Sequence, residues 1–455
     1  MKTHQRIQAT FALLLLLATS YGQSLDSFTR MTSHGEIPSI FVEYLQDKIA
    51  HGNEQLEGED ISSANAEDFT AITNYQLERM IHSGRVLYGD PLTKYANRML
   101  DKLKAVSDDD FDHVQIYTLK SNEVNAFATH QGVIFMTVGL WGQLENETQL
   151  AFVLAHELSH VANKHSLLTY QHNKDLERSN RYSSEKISSY YQYSKNNEEE
   201  ADIYGFKLAK KAGYNVEELL STFNVLLYSY LPIDEVAVDY SWIENEGFQI
   251  TEKYIREEPN PILASEDVDD EFHTHPNINN RRESILPLYN AAKKDEEGKI
   301  YVAGNQQEFE DLRDLARFQM MHIFIRDADY IKGLYHNRIL QKKYPENRFL
   351  RNTEAMIWYG MSIFENTDAS IPYSRSFSKR EGEIQQLYYF LSKLKDKELA
   401  TVATKQIWEY SIAHPEDAFL QKLRIKVLPT LIEGGVKNLD EFSSEYASDE
   451  KEVED

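Results

Sequence analysis

The run Leu150-Ala-Phe-Val-Leu-Ala-His156-Glu157-Leu158-Ser159-His160-Val161 carries two histidines four residues apart inside an otherwise apolar stretch. Positions i and i+4 share one face of a helix, so His156 and His160 can reach the same metal ion. Leu150, Leu154, Leu158 and Val161 form an apolar stripe largely on another face, which packs the helix. Glu157 lies one step round, suited to touch a metal-bound water rather than the metal. Histidine, glutamate and histidine at this spacing predict a helix over 148–165 that carries a zinc site, one ion per chain.

A catalytic zinc takes three protein ligands and keeps one position open. The chain has no cysteine, so the third ligand is His, Glu or Asp. Downstream lies Asn196-Asn-Glu198-Glu199-Glu200-Ala-Asp202-Ile-Tyr-Gly205. An Asn followed three residues on by Glu fits a helix start, which predicts a helix over 197–212 stopped by Gly213. Glu198 and Asp202 share a face, so Glu198 can take the metal while Asp202 accepts a hydrogen bond from a ligand histidine's other ring nitrogen. With three adjacent glutamates the spacing is ambiguous, and only the partnership with Asp202 favours Glu198. An acidic first turn favoured by the helix dipole is the plainer reading. His165, five after His160, falls about 140° from the ligand face on a continuous helix and reads as a bystander. His130 falls in a turn and reads the same way.

Working outward, Asp90 and Pro91 form an N-cap and first helical position. Leu92, Tyr95, Ala96, Met99, Leu100 and Leu103 follow at helical spacing. A second helix pattern covers 69–83, ending at Gly84. Residues 113–119 alternate as a strand, and 125–129, the turn His130-Gln131-Gly132 and 133–138 read as strand, turn, strand. Val133, Ile134, Phe135 and Met136 can serve as the edge of a substrate cleft, where an extended peptide adds through backbone hydrogen bonds. The same apolar run also reads as an ordinary core strand. The fold class that follows is α+β and mostly helical, with a small edge sheet, followed by an all-α domain. Domains are expected at 69–290 and 300–440, after a polar segment over 23–68, with an acidic tail over 441–455. Residues 231–275 read as irregular and acidic.

The 455 residues carry 48 Lys+Arg against 73 Asp+Glu, a formal charge of −25. That balance excludes nucleic acid as a partner, because phosphate binding needs a basic patch. Without cysteine there is no disulfide, thiol nucleophile or Cys-based zinc finger. Lys2 and Arg6 precede an apolar run over 9–18, with small residues to Gly22. This pattern predicts a signal peptide over 1–22, too short for a membrane span, and an exported mature chain with no integral membrane segment. In the helical half, Tyr344-Pro-Glu-Asn-Arg-Phe-Leu350 echoes His414-Pro-Glu-Asp-Ala-Phe-Leu420. The offset is close to twice the period of about 34 residues of a tetratricopeptide repeat, and such a domain offers a surface for a protein partner.

The chain resembles the zinc endopeptidases related to the CAAX prenyl proteases and HtpX-like peptidases, in the exported BepA-like branch that joins a gluzincin-type peptidase to tetratricopeptide repeats. The resemblance rests on His156 to His160, on Glu198 to Asp202, on Asn125-Ala-Phe with Gly132-Val-Ile-Phe-Met-Thr-Val-Gly-Leu140, and on Thr274-His275-Pro276 with Arg281. The Asp90-Pro91-Leu92…Tyr95 helix start adds to it, and the match covers about residues 80–285. Membrane-spanning hairpins of the integral relatives are absent. The resemblance implies Glu198 as third ligand, Glu157 as general base, and His275 and Arg281 as stabilisers of the anionic tetrahedral intermediate. His275 could also close the open zinc position and hold the enzyme latent. The expected function is zinc-dependent hydrolysis of unfolded or misassembled exported proteins, most simply in a Gram-negative periplasm. Alternatives are a non-proteolytic chaperone or scaffold acting through the helical repeats, and a peptidase with a single substrate.

Overall fold

The computed structural model describes residues 25–178, 183–244, 249–264, 278–293, 298–364 and 374–433. The expected signal peptide, His275 with its Thr-His-Pro element, and the acidic tail lie outside the described residues. Two compact units form. Among the described residues, one takes those over 30–230, at 264 and over 278–320 and holds the sheet; the other takes those over 231–263 and 321–433, with 25–29. No helix among the described residues is long and apolar enough to cross a membrane.

The sheet-containing unit begins with α1 (Leu45–Gln55) and α2 (Ser63–Ile81), then β1 (Val86–Leu87), α3 (Pro91–Lys104), β2 (Gln115–Leu119), β3 (Ala126–Ala128) and β4 (Val133–Thr137). It continues through α4 (Val138–Gln143), α5 (Glu147–Ala162), α6 (His165–Arg178), α7 (Ser183–Lys211), α8 (Val216–Leu227) and α9 (Ile278–Ala292) to α10 (Gln306–Arg326), inside which the division falls. Asp90 caps α3 as its sequence predicts, accepting from Leu92 N and Thr93 N at 3.1 Å each. The periodic apolar residues of α3 are all buried.

Strand order is β1-β2-β4-β3, with β2 and β4 parallel and the other two pairings antiparallel. Val133, Ile134, Phe135 and Met136 therefore stand in an inner strand, paired on both sides and buried. They are not an edge strand; the edges of this sheet are β1 and β3. The turn over 130–132 folds β3 and β4 into a hairpin that puts the shorter strand outside, and Gly132 takes the left-handed backbone the turn needs (φ 76°). An all-apolar strand reads the same whether its neighbours are strands or helices, so sequence could not order it.

The expected start of this unit at residue 69 is too late. Residues 30–68 belong to it, although their apolar periodicity is weak. The reason is that α1 docks through polar groups: the Lys48 ammonium donates to Glu78 and to Ile40 O, and Asn74 Nδ2 donates to Lys48 O at 3.4 Å. Farther along, α2 lays Leu77 and Ile81 on Tyr117, Leu119 and Phe135 of the sheet.

The unit also extends beyond 290, because of Glu147 at the start of α5. This fully buried carboxylate accepts from the Tyr95 hydroxyl, from Tyr214 OH at 2.9 Å, and from Val302 N, Ala303 N and Gly304 N at 2.8, 2.7 and 3.0 Å. Glu147→Gln places an amide N–H against this ring of donors. It is expected to lower the stability of the metal-free protein by about 2–4 kcal/mol, read as a drop in unfolding midpoint. An unchanged midpoint would show that the ring contributes nothing.

In the helical unit, α11 (Tyr330–Lys343) and α12 (Arg348–Phe364) form one hairpin, and α14 (Asp396–Ala413) and α15 (Ala418–Glu433) another, with α13 (Ile384–Lys393) between them. The repeated Pro-Glu-Asn/Asp segments are the two hairpin turns. Tyr344 and His414, each before a proline, share one conformation (φ −129°, ψ 63° and φ −134°, ψ 67°). Asn347 Oδ1 accepts from Leu350 N at 3.1 Å and Asp417 Oδ1 from Phe419 N at 3.0 Å, capping the second helix each time. The irregular segment 231–263 belongs here rather than to the sheet-containing unit. Ile233, Tyr240 and Ile243 are buried in it, and the Tyr335 hydroxyl accepts from Val236 N and donates to Val236 O at 2.9 and 2.7 Å.

Candidate metal centre

Helix α5 is buried over all residues from Glu147 to Ser159, not along one stripe, so His156 stands inside the unit, with His160 half-buried one turn on. Helix α7 crosses against it. Their approach depends on Gly205, where a Cβ would come within 2.9 Å of His156 N and 3.2 Å of its Cα. Gly205→Ala is expected to push α7 off α5, costing about 1–3 kcal/mol of stability and loosening bound metal in an equilibrium-dialysis assay; unchanged stability and metal affinity would refute the close-packing role.

His156 and His160 of α5 meet Glu198 of α7. The two Nε2 atoms are 3.1 Å apart, His156 Nε2 lies 3.5 Å from Glu198 Oε2, and His160 Nε2 lies 3.5 Å from Glu198 Oε1. These three side chains are placed to hold one metal ion. Ligand atoms about 2.0–2.2 Å from a tetrahedral zinc stand about 3.3–3.6 Å from one another, so the donor set and its spacing fit that ion. Glu157, also buried, is the next residue round the helix.

Around the ligands runs a charged frame. Asp202 Oδ1 accepts from His156 Nδ1 at 2.9 Å, and Arg281 of α9 makes a two-pronged pair with Asp202, Nε to Oδ2 and Nη2 to Oδ1 at 2.7 Å each. Arg281 Nη1 lies 3.2 Å from Glu198 Oε2. Burial alone would raise the Asp202 carboxyl, but the guanidinium and the imidazole outweigh it and hold it below the usual carboxylate range. Burial works against the Arg281 charge, while Asp202 and Glu198 more than restore it. An ionised Asp202 only accepts, so His156 carries its proton on Nδ1 and turns a bare Nε2 to the site.

Arg281 was expected to face the reacting carbonyl. Its nitrogens meet Asp202 and Glu198, and the residue also lines the cavity beside Glu157. The helix start predicted at Asn196 is also absent: α7 begins at Ser183, and Glu198 and Asp202 lie in its middle. His165 is the residue that the helical wheel misplaced. Helix α5 ends at Ala162, Lys164 adopts φ 50°, and α6 starts at His165, which swings back toward the ligands. His165 Nδ1 lies 2.8 Å from His160 Nδ1, and its Nε2 lies 3.4 Å from Glu200 Oε2. Burial pushes the His165 imidazole toward its neutral form. The sequence signal for this break is Asn163, a residue that often ends helices. His130 packs edge-on against Phe69 at 4.7 Å, and burial pushes its pKa down to about 4.

Beside Glu157 and Arg281 opens a cavity of about 60 Å³, lined by Leu140, Phe152, Val153, Leu226 and Ile278, with Asn125 and Ala126 at the start of the edge strand β3.

Known proteins are similar to parts of the chain. The chain is 32% identical over 95 residues to the beta-barrel assembly-enhancing protease of Yersinia pestis, covering 21% of this chain and 20% of that one. It is 33% identical over 88 residues to the Escherichia coli protein of that name, covering 19% and 18%. It is 27% identical over 177 residues to metalloprotease YcaL of Escherichia coli, covering 35% of this chain and 68% of that one. The chain thus spans between 18% and 36% of the length of the beta-barrel assembly-enhancing relatives it matches. The pattern of peptidase family M48 matches residues 92–178 and 181–287, which take in the whole cluster from His156 to Arg281. Residues 92–287 of the chain thus carry the pattern of peptidase family M48.

Proposed function

We propose that the chain is a zinc-dependent endopeptidase that cleaves unfolded or misassembled proteins of a bacterial envelope. The observation that carries this reading is the convergence of His156, His160 and Glu198 at 3.1–3.5 Å, with Glu157 beside them at a cavity. When bound by those three residues, zinc supplies Lewis acidity, which acidifies water and polarises a carbonyl. Glu157 accepts the proton of the attacking water and passes it to the leaving amine. Asp202 fixes the tautomer of His156, and Arg281 keeps Asp202 ionised and holds Asp202 and Glu198 in place. Arg281 is thus a positioning residue, and His275 remains the proposed group for the developing oxyanion. An extended substrate adds to β3, in place of the inner strand first expected, and the cavity takes an apolar side chain next to the scissile bond.

The envelope setting is supported by the apolar run over 9–18 and by the relatives named for beta-barrel assembly. The two helical hairpins support a tetratricopeptide-like platform for a protein partner. The test is incubation of the full chain with an unfolded casein and with a folded control, with and without a chelator. Chelator-sensitive cleavage of the unfolded substrate alone is expected. Indifference to the chelator, or no cleavage by zinc-loaded protein, would leave the scaffold reading.

A further inference from the structure

We propose that His165 is a positioning residue for the metal centre, holding His160 in the tautomer that binds the ion. The inference rests on the reading that His156, His160 and Glu198 hold a divalent cation. Two imidazole nitrogens 2.8 Å apart, His160 Nδ1 and His165 Nδ1, form a hydrogen bond only if one donates and the other accepts. The direction is set from outside the pair. His165 Nε2 lies 3.4 Å from the Glu200 carboxylate, which only accepts. A proton on His165 Nε2 leaves its Nδ1 bare. His160 then donates from Nδ1 and turns a bare Nε2 toward His156 Nε2 and Glu198, as a ligand must.

The two ligand histidines therefore have different orienters, and the local charge explains why. Glu157, Glu198 and Asp202 are three buried acids, and Arg281 is one buried base. A second buried carboxylate behind His160 would leave the interior with an uncompensated charge, a costly state in a low dielectric. A neutral imidazole gives the same direction without adding charge, and its own partner Glu200 stands in solvent, where its charge is screened. The joint between α5 and α6 makes the placement rigid. Lys164 reverses the chain at φ 50°, His165 is buried, and its ring packs edge-on to His160 at 4.9 Å and 72°.

The test is the zinc dissociation constant of the full chain, measured by competition with a chromogenic chelator, with metal-free melting as a check on folding. An Asn amide oxygen reaches the position of imidazole Nδ1, while a Gln oxygen reaches that of Nε2. His165→Asn is expected to keep affinity close to that of the unaltered chain. His165→Gln and His165→Leu are expected to loosen zinc about 10- to 100-fold. The Asn and Gln variants are both polar, so their comparison stands even if the Leu variant fails to fold. Equal affinity in the Asn and Gln variants, or unaltered affinity in the Leu variant, would overturn the role of His165. If the unaltered chain itself binds no zinc, the metal-centre reading fails instead, and the role of His165 goes with it.

Discussion

Glu157→Gln is expected to lower the rate of peptide hydrolysis by about 10²- to 10⁴-fold while leaving metal content and fold unchanged. Gln has the shape of Glu but no basic oxygen to take the proton of the attacking water. Glu157 is outside the ligand set, so removing its charge does not release the ion. It is buried, so a neutral replacement also removes a charge from a low-dielectric site and is not expected to destabilise the protein. The measurement is kcat on an unfolded casein with zinc content determined on the same samples. A variant that keeps its zinc and cleaves at the unaltered rate would remove Glu157 from the chemistry. A variant that loses its zinc would make Glu157 part of the metal site.

Arg281→Met is expected to be the most destabilising single change around the centre, at about 3–5 kcal/mol. The guanidinium is the cation that meets both Asp202 oxygens and one Glu198 oxygen inside the protein. Without it two buried carboxylates face each other beside the imidazoles of His156 and His160. The effect is read by chemical denaturation of the metal-free chain, where no bound ion can compensate. Adding Asp202→Asn should recover part of the loss, because the stranded charge is then gone, and the double-mutant cycle measures the coupling. A loss under about 1 kcal/mol, or strictly additive single effects, would contradict the picture of one coupled frame.

What sequence revealed and what it concealed divides along a physical line. Local devices were legible. Asp90 with Pro91 caps α3 as its residue types require, and the i, i+4 histidines lie on one helix face whatever surrounds them. The shared Pro-Glu-Asn/Asp turns carry the same backbone angles in both hairpins. Features set by long-range packing were not legible. Asn196 and Asn197 look like a helix start, but α7 runs through them because its face is held against α5 by Gly205 and by Asp202 on His156. His165 was placed by extrapolating a helix that stops at Ala162; one left-handed residue, Lys164, turns a side chain from the far face into a partner of His160. The apolar strand over 133–137 has no outward polar residue to show that strands lie on both of its sides. The polar α1 joined its unit through the half-buried Lys48–Glu78 pair, which no apolar pattern announces.

Elemental mass spectrometry of the purified full chain, dialysed against zinc at neutral pH and then against buffer, reads whether His156, His160 and Glu198 hold one zinc ion. One zinc per chain is expected, lost in both His156→Ala and His160→Ala. A chain without stoichiometric metal, or alanine variants that retain it, would show that these three residues do not form the site.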